Sequence, residues 1–160
     1  VNPVTVEVPV GFEGPVRQEQ EGAIVVGFTK RNGPDSNTLL QITVYNLGSK
    51  LEIDNDSLRA VAASKFLLDF VGGVERRRMA FKRTEPVALK INGIPAAKLE
   101  WTGKLQGQET VGDMYSFVVD THVIVFHTQD KGTTPSAAMN EAMRAFESAR
   151  VNLTNNKNEL

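Results

Sequence analysis

From Lys90 to Arg150 the sequence runs through three strand-like segments into an amphipathic helix, and this order constrains the fold more than any other feature. Asn92-Gly93-Ile94-Pro95-Ala96-Ala97 opens the series with a turn. Ile94 to Leu105, Val111 to Val119 and His122 to Gln129 read as strands, linked by the polar stretch Gln106 to Thr110 and a tight turn at Asp120-Thr121. Such short links favour antiparallel neighbours, because a parallel pair needs a crossover of a dozen or more residues. In the final helix Thr133 or Thr134 is the expected cap and Pro135 the first-turn residue, where a missing amide donor costs little. Met139, Ala142, Met143, Phe146 and Ala149 then make one apolar stripe.

The N-terminal half carries the same two periods. Valines at positions 4, 6, 8 and 10 alternate with Thr5, Glu7 and Pro9, the pattern of a half-buried strand, and Pro9 places its end near an edge. After a turn-rich stretch with Gly11, Gly14 and Pro15, Ala23 to Lys30 and Thr38 to Leu47 read as strands. The loop between them, Arg31 to Asn37, has the composition of a hairpin. Helix signals start at Asp54 to Ser57 and continue through Ala60, Ala63, Leu67, Phe70, Val71 and Val74, with Gly72-Gly73 as the expected stop. Arg76 to Arg83 and Val87 to Ile91 follow as extended segments. The expectation is one domain over residues 1–151 and a frayed tail over 152–160.

At 160 residues the chain is long enough to bury one core without disulfides. Apolar residues make up 41% and charged residues 23%, and the net charge of -1 argues against a general nucleic-acid binder. The absence of cysteine removes disulfides, thiolate metal sites and thiol nucleophiles together. The longest apolar stretch, Val61 to Val74, is interrupted by Ser64, Lys65 and Asp69 and reads as a core helix, not a membrane span. The first residue is valine, so the expectation is a processed or shortened chain, with any signal peptide or lipid-attachment cysteine upstream.

No constellation of nucleophile, base and orienting group stands out. His122 and His127 are the only histidines, and their opposite parity sends them to opposite faces of a strand, so they do not share a metal. Asp120 is near His122 at the turn, without a serine in nucleophile context. Asp54 and Asp56 suit a helix start better than a calcium loop. Neither phosphate-binding glycine pattern occurs, so no nucleotide cofactor is expected. The triplets at Asn55 and Asn152 match the glycosylation pattern at chance frequency, and Lys157-Asn158-Glu159-Leu160 departs from a retention signal at its middle positions. Trp101 shares parity with Leu99 and Leu105 and reads as a core residue. One charge cluster remains: Arg76-Arg77-Arg78, extended by Lys82 and Arg83. If the segment is extended, Met79 and Phe81 point to the core while Arg76, Arg78 and Lys82 form an outward cationic stripe, either a solvated edge or a partner-binding surface.

The order of strands, helix, strands and final helix resembles the PsbP-like superfamily, and within it the DcrB-like bacterial exported proteins and lipoproteins. The residues that carry the resemblance are Val8-Pro9-Val10-Gly11-Phe12, Asn92 to Ala97, the hairpin around Tyr115 to Phe126, and the alanine-rich last helix through Phe146-Glu147-Ser148. It implies an α+β fold, an antiparallel sheet with helices packed on its two sides, and a non-enzymatic role in binding or assembly. The superfamily spans photosystem subunits, a Ran-binding import factor and secretion-effector chaperones, so fold alone does not choose a function. The expectation is an extracytoplasmic binding or assembly module with no cofactor and no metal, a protein partner, and membrane proximity through an upstream lipid anchor. An intracellular chaperone for apolar client segments is the alternative, and a small hydrolase a third.

Overall fold

In the computed structural model, residues 3–48, 53 and 55–152 are described. Its elements, in chain order, are β1 (Val4–Thr5), β2 (Glu13–Gln20), β3 (Ala23–Gly33), β4 (Ser36–Asn46), α1 (Asp56–Glu75), β5 (Met79–Arg83), β6 (Val87–Ile91), β7 (Ile94–Leu105), β8 (Gln108–Val119), β9 (His122–Lys131), α2 (Ala137–Glu147) and β10 (Arg150–Val151). The main sheet has the order β2-β3-β4-β9-β8-β7-β5, with β6 also on β7, and its pairings are antiparallel. Strands β5 and β6 lie end to end along β7. Between them Thr84 keeps the ladder going, its N–H donating to the Glu100 carbonyl and its Oγ1 accepting from the Glu100 N–H, each at 2.9 Å.

The hairpin from β6 to β7 is closed by Asn92 and Gly93, both with positive φ (51° and 77°), the combination that matches strand twist in a two-residue turn. The long polar link expected after Leu105 is a two-residue turn instead, and β8 starts at Gln108. Alternation along these strands feeds two cores. Leu99, Trp101, Met114, Val123 and Val125 meet Ala63, Leu67 and Val71 of α1 on one face. Tyr115, Phe117, Ile124 and Phe126 meet Ala142 and Phe146 of α2 on the other. The expected α+β sandwich, with its antiparallel sheet between helices, is the observed fold.

Several local expectations are corrected. Only Val4–Thr5 of the first alternating run is a strand, and its partner is β10, not the main sheet. Val4 and Val6 still pack on the α2-side core, while Val10 is 92% exposed. The glycine- and proline-containing stretch after it is β2, an exposed edge strand whose pairing with β3 decides its conformation. Asn55 caps α1, its Oδ1 accepting from the Leu58 N–H at 2.9 Å, and Asp54 lies outside the described residues. The helix runs through Gly72 and Gly73 to Glu75. Each glycine costs roughly 1 kcal/mol in a helix, less than burial of the apolar face of α1 returns. Ser136 caps α2, with Thr133, Thr134 and Pro135 all upstream. Asn152 is hydrogen-bonded to Pro3 and Thr5 rather than frayed, and residues 153–160 lie outside the described ones.

Candidate functional site

Helix α1 packs over β7 and β8 and leaves the same face of β2, β3 and β4 uncovered. The result is a groove of about 790 Å³ between the helix and the open half-sheet. Register defines its floor in rows: Gln18, Val25, Thr43 and Val125 lie side by side across β2, β3, β4 and β9, and Gln41, His127 and Met114 continue the next row. Phe66, Phe70 and Val74 of α1 form the wall, and the Tyr45 and Phe70 rings meet with centroids 5.1 Å apart. The lining is therefore mixed, with Val25, Val125 and Met114 alternating with amide and hydroxyl side chains along the floor, an aromatic wall, and Asp69 as an acidic member.

The groove ends in the three arginines that follow α1. Arg76 closes the helix as its C-cap, and its guanidinium lies beside Gly72 and Gly73. Arg78 turns inward over the Trp101 ring, 5.3 Å from its centroid, and donates to Gln129 Oε1 and Thr110 Oγ1, each at 3.3 Å. Beneath it Trp101 Nε1 donates to His127 Nε2 at 3.2 Å, which makes that nitrogen an acceptor and leaves the imidazole proton on Nδ1. Burial, and then the Arg78 charge, push the His127 pKa down to about 4, so the ring is neutral at physiological pH.

The expected cationic stripe of Arg76, Arg78 and Lys82 is not one surface. Ala80 has φ 51° and the ladder slips between Met79 and Lys82, and this bulge breaks the simple alternation. Met79 is 77% exposed instead of pointing to the core, and Arg78 is half-buried instead of facing outward. Lys82 pairs with Thr102 and faces the α2 side, away from the groove. Phe81 does reach the core, stacked on Trp101 at 6.0 Å between centroids. Trp101 is buried with Leu99 as expected, though Leu105 is exposed. The indole lies directly against Gly112 on β8, where a Cβ would fall inside its ring.

His122 and His127 are on opposite faces, as their parity predicts; His122 Nδ1 lies 3.5 Å from Thr121 Oγ1 at the turn. Among the described residues no group of three or more histidine, cysteine or acidic side chains is placed to hold a metal. Nor is any described helix long and apolar enough to cross a membrane. Sequence reasoning missed the groove, because its glutamines come from strands far apart in the chain. It also missed Asp113, the one charged residue in the Val111 to Val119 run, which shares parity with Tyr115 and Phe117 and is only 2% exposed. That parity was the available signal.

Two helices on opposite faces of one antiparallel sheet, with an arginine-ended groove on one side, define the structural class. In fold the chain is similar to LpqN of Mycobacterium tuberculosis, a protein involved in cell envelope biogenesis, with TM-score 0.56 and 13% identity over 92% of this chain and 82% of LpqN. A Bacteroides thetaiotaomicron protein matches with TM-score 0.55 and 11% identity, covering 98% of this chain and 47% of its own. PA94 of Pseudomonas aeruginosa matches with TM-score 0.51 and 12% identity, covering 91% and 92%. At such identities the likeness is one of fold. No protein-family model matches the sequence, and no curated protein matches it.

Proposed function

We propose that this chain is a non-enzymatic binding or assembly module of the bacterial cell envelope, related to DcrB-like exported proteins and carried at the membrane by an upstream lipid anchor. Its groove receives an acidic segment of a protein partner. The observation that carries this reading is the placement of Arg76, Arg77 and Arg78 at the end of a groove with an aromatic wall and a floor of mixed apolar and amide side chains. Arginine clusters attract acidic segments over about a Debye length, while the base supplies contact area once the segment has docked. The fold likeness to LpqN supports the envelope setting.

Trp101 provides the readout, because Arg78 covers its ring. A decapeptide of alternating Glu and Leu should change Trp101 fluorescence saturably at low salt and lose affinity as salt rises. The double variant Arg76→Gln, Arg77→Gln should keep the wild-type far-ultraviolet spectrum and bind at least about tenfold more weakly, the loss expected for one to two charge contacts. Equal binding by this variant, or none by the wild type, overturns the reading. An alkaline-phosphatase fusion to the full-length protein tests the compartment separately.

A further inference from the structure

On the opposite face, a cavity of about 520 Å³ lies between α2 and the strands β5, β7 and β8. Its volume suits a small molecule. Met143, Pro135 and Val111 supply apolar walls, and Asn140 and Thr102 supply polar ones. Asp113 lines it from the middle of β8, 2% exposed, and its Oδ1 has no hydrogen-bond partner among the described residues. Thr128, directly opposite on β9, likewise leaves its Oγ1 without one. A buried carboxylate oxygen with no donor is expensive, and native proteins rarely keep one without a use.

We propose that this cavity binds a small molecule carrying a protonated amine on a short alkyl body, with the Asp113 carboxylate as its counter-ion. The charges facing Asp113 favour a cation. Glu100 stands beside it on β7 and Glu147 approaches from α2. Asp130 on β9 is already committed to Thr38, Asn32 and the Ser136 N–H. Lys98 is the cation on β7, and its ammonium sits over the Tyr115 ring, 5.3 Å from the centroid, instead of bonding Asp113. From β5, Arg83 is paired with Glu85, and Lys82 is an exposed residue of the cavity lining. Burial first of all, with Glu100 and Glu147 adding to it against Lys98, pushes the Asp113 pKa up to about 6. At neutral pH the group is mostly ionised, and an ammonium would complete it. A divalent metal fits less well, since it takes six or more oxygen ligands and no group of three acidic or histidine side chains gathers here among the described residues.

The test is a titration of the isotope-labelled protein with n-butylammonium chloride, followed at the Asp113 carboxyl carbon and the Asn140 side-chain amide. Saturable shifts at pH 7.5 are expected, with none from n-butanol or sodium butyrate. Because the cation binds the ionised form better, saturation should lower the Asp113 titration midpoint by about one pH unit, and by linkage affinity should fall about tenfold in all as the pH drops through that range. Asp113→Asn should abolish the shifts, whereas Lys82→Gln should leave them unchanged or strengthened. Absence of saturable shifts in the wild type, equal binding of butanol, or undiminished binding by a folded Asp113→Asn variant each overturns the proposal. Should that variant not fold, the wild-type midpoint decides, and a midpoint unmoved by the ligand overturns it.

Discussion

The two faces of the sheet carry the same alternating strands but are finished differently. On the α2 face the helix, β10 and the N-terminal segment through Phe12 close over the core, and the Phe126 and Phe146 rings stack with centroids 4.7 Å apart. On the α1 face one longer helix covers only the β7 and β8 side and leaves a groove. Each face also holds a shifted ionisable group that titrates between acid and neutral pH, the base His127 on one and the acid Asp113 on the other. Burial drives both toward neutrality, yet their effects on stability have opposite signs. Closure and polarity are thus set face by face, even though the strands are shared.

The largest expected difference comes from truncating an aromatic on each side. Phe146→Ala, at a fully buried position between Tyr115 and Phe126, should cost about 4 kcal/mol, read as a lowered denaturation midpoint. Phe70→Ala, half-buried on the groove wall, should cost less than about 2 kcal/mol. Equal costs would mean that the groove is as closed as the α2 side.

The pH profiles separate the faces next. His127 has a folded pKa below its unfolded value, so the unfolded state gains the proton first and stability is lost as pH falls from about 6.5 to about 4. Asp113 has a folded pKa above its unfolded value, so its contribution is fully present below about 3.8 and is lost as pH rises through about 6. At about 1.4 kcal/mol per unit, the ceiling is about 3.5 kcal/mol for His127 and about 3 kcal/mol for Asp113. Asp113→Asn should therefore raise stability at pH 7.5 and leave it nearly unchanged at pH 3.5. His127→Gln, which keeps an acceptor for Trp101, should flatten the loss on acidification. Urea melts across this pH range check both, and a destabilising Asp113→Asn at neutral pH would show that the carboxylate already has a strong partner.

A smaller effect tests the seam between Trp101 and β8. Gly112→Ala puts a methyl group into the indole, and because Trp101 is fully buried the strain should cost about 2 kcal/mol and shift tryptophan fluorescence. The helix caps give the smallest contrast. Ser136→Ala should cost about 1 kcal/mol and Asn55→Ala slightly less, since the Ser136 hydroxyl accepts from Asn32 as well as from the Met139 N–H and lies beside buried Thr38, while Asn55 is exposed. Thermal melts resolve differences of this size.

What the chain determined by itself is written in local periodicity. Period-two alternation from Ala23 onward set the central strands, and the Asn92-Gly93 turn set a hairpin. The stripe through Met139 and Phe146 set the buried side of α2, and parity alone sent His122 and His127 to different faces. Each of these depends on residues within a few positions of one another, so the backbone geometry of a strand or helix is enough to decide it. Tertiary structure decided the rest. β2 is polar and exposed and is a strand because β3 offers it a ladder, and Val4 meets Val151 only across the whole chain. The bulge at Ala80 separated Lys82 from Arg76 and Arg78, so a charge cluster contiguous in sequence serves two faces. The groove exists because α1 lies over one half of its face, and Asp113 is a buried acid because its strand position turns it to the α2 side, into the cavity that Pro135, Asn140 and Met143 border. These features rest on contacts between residues tens of positions apart, whose strength depends on who arrives opposite, and no local pattern records that.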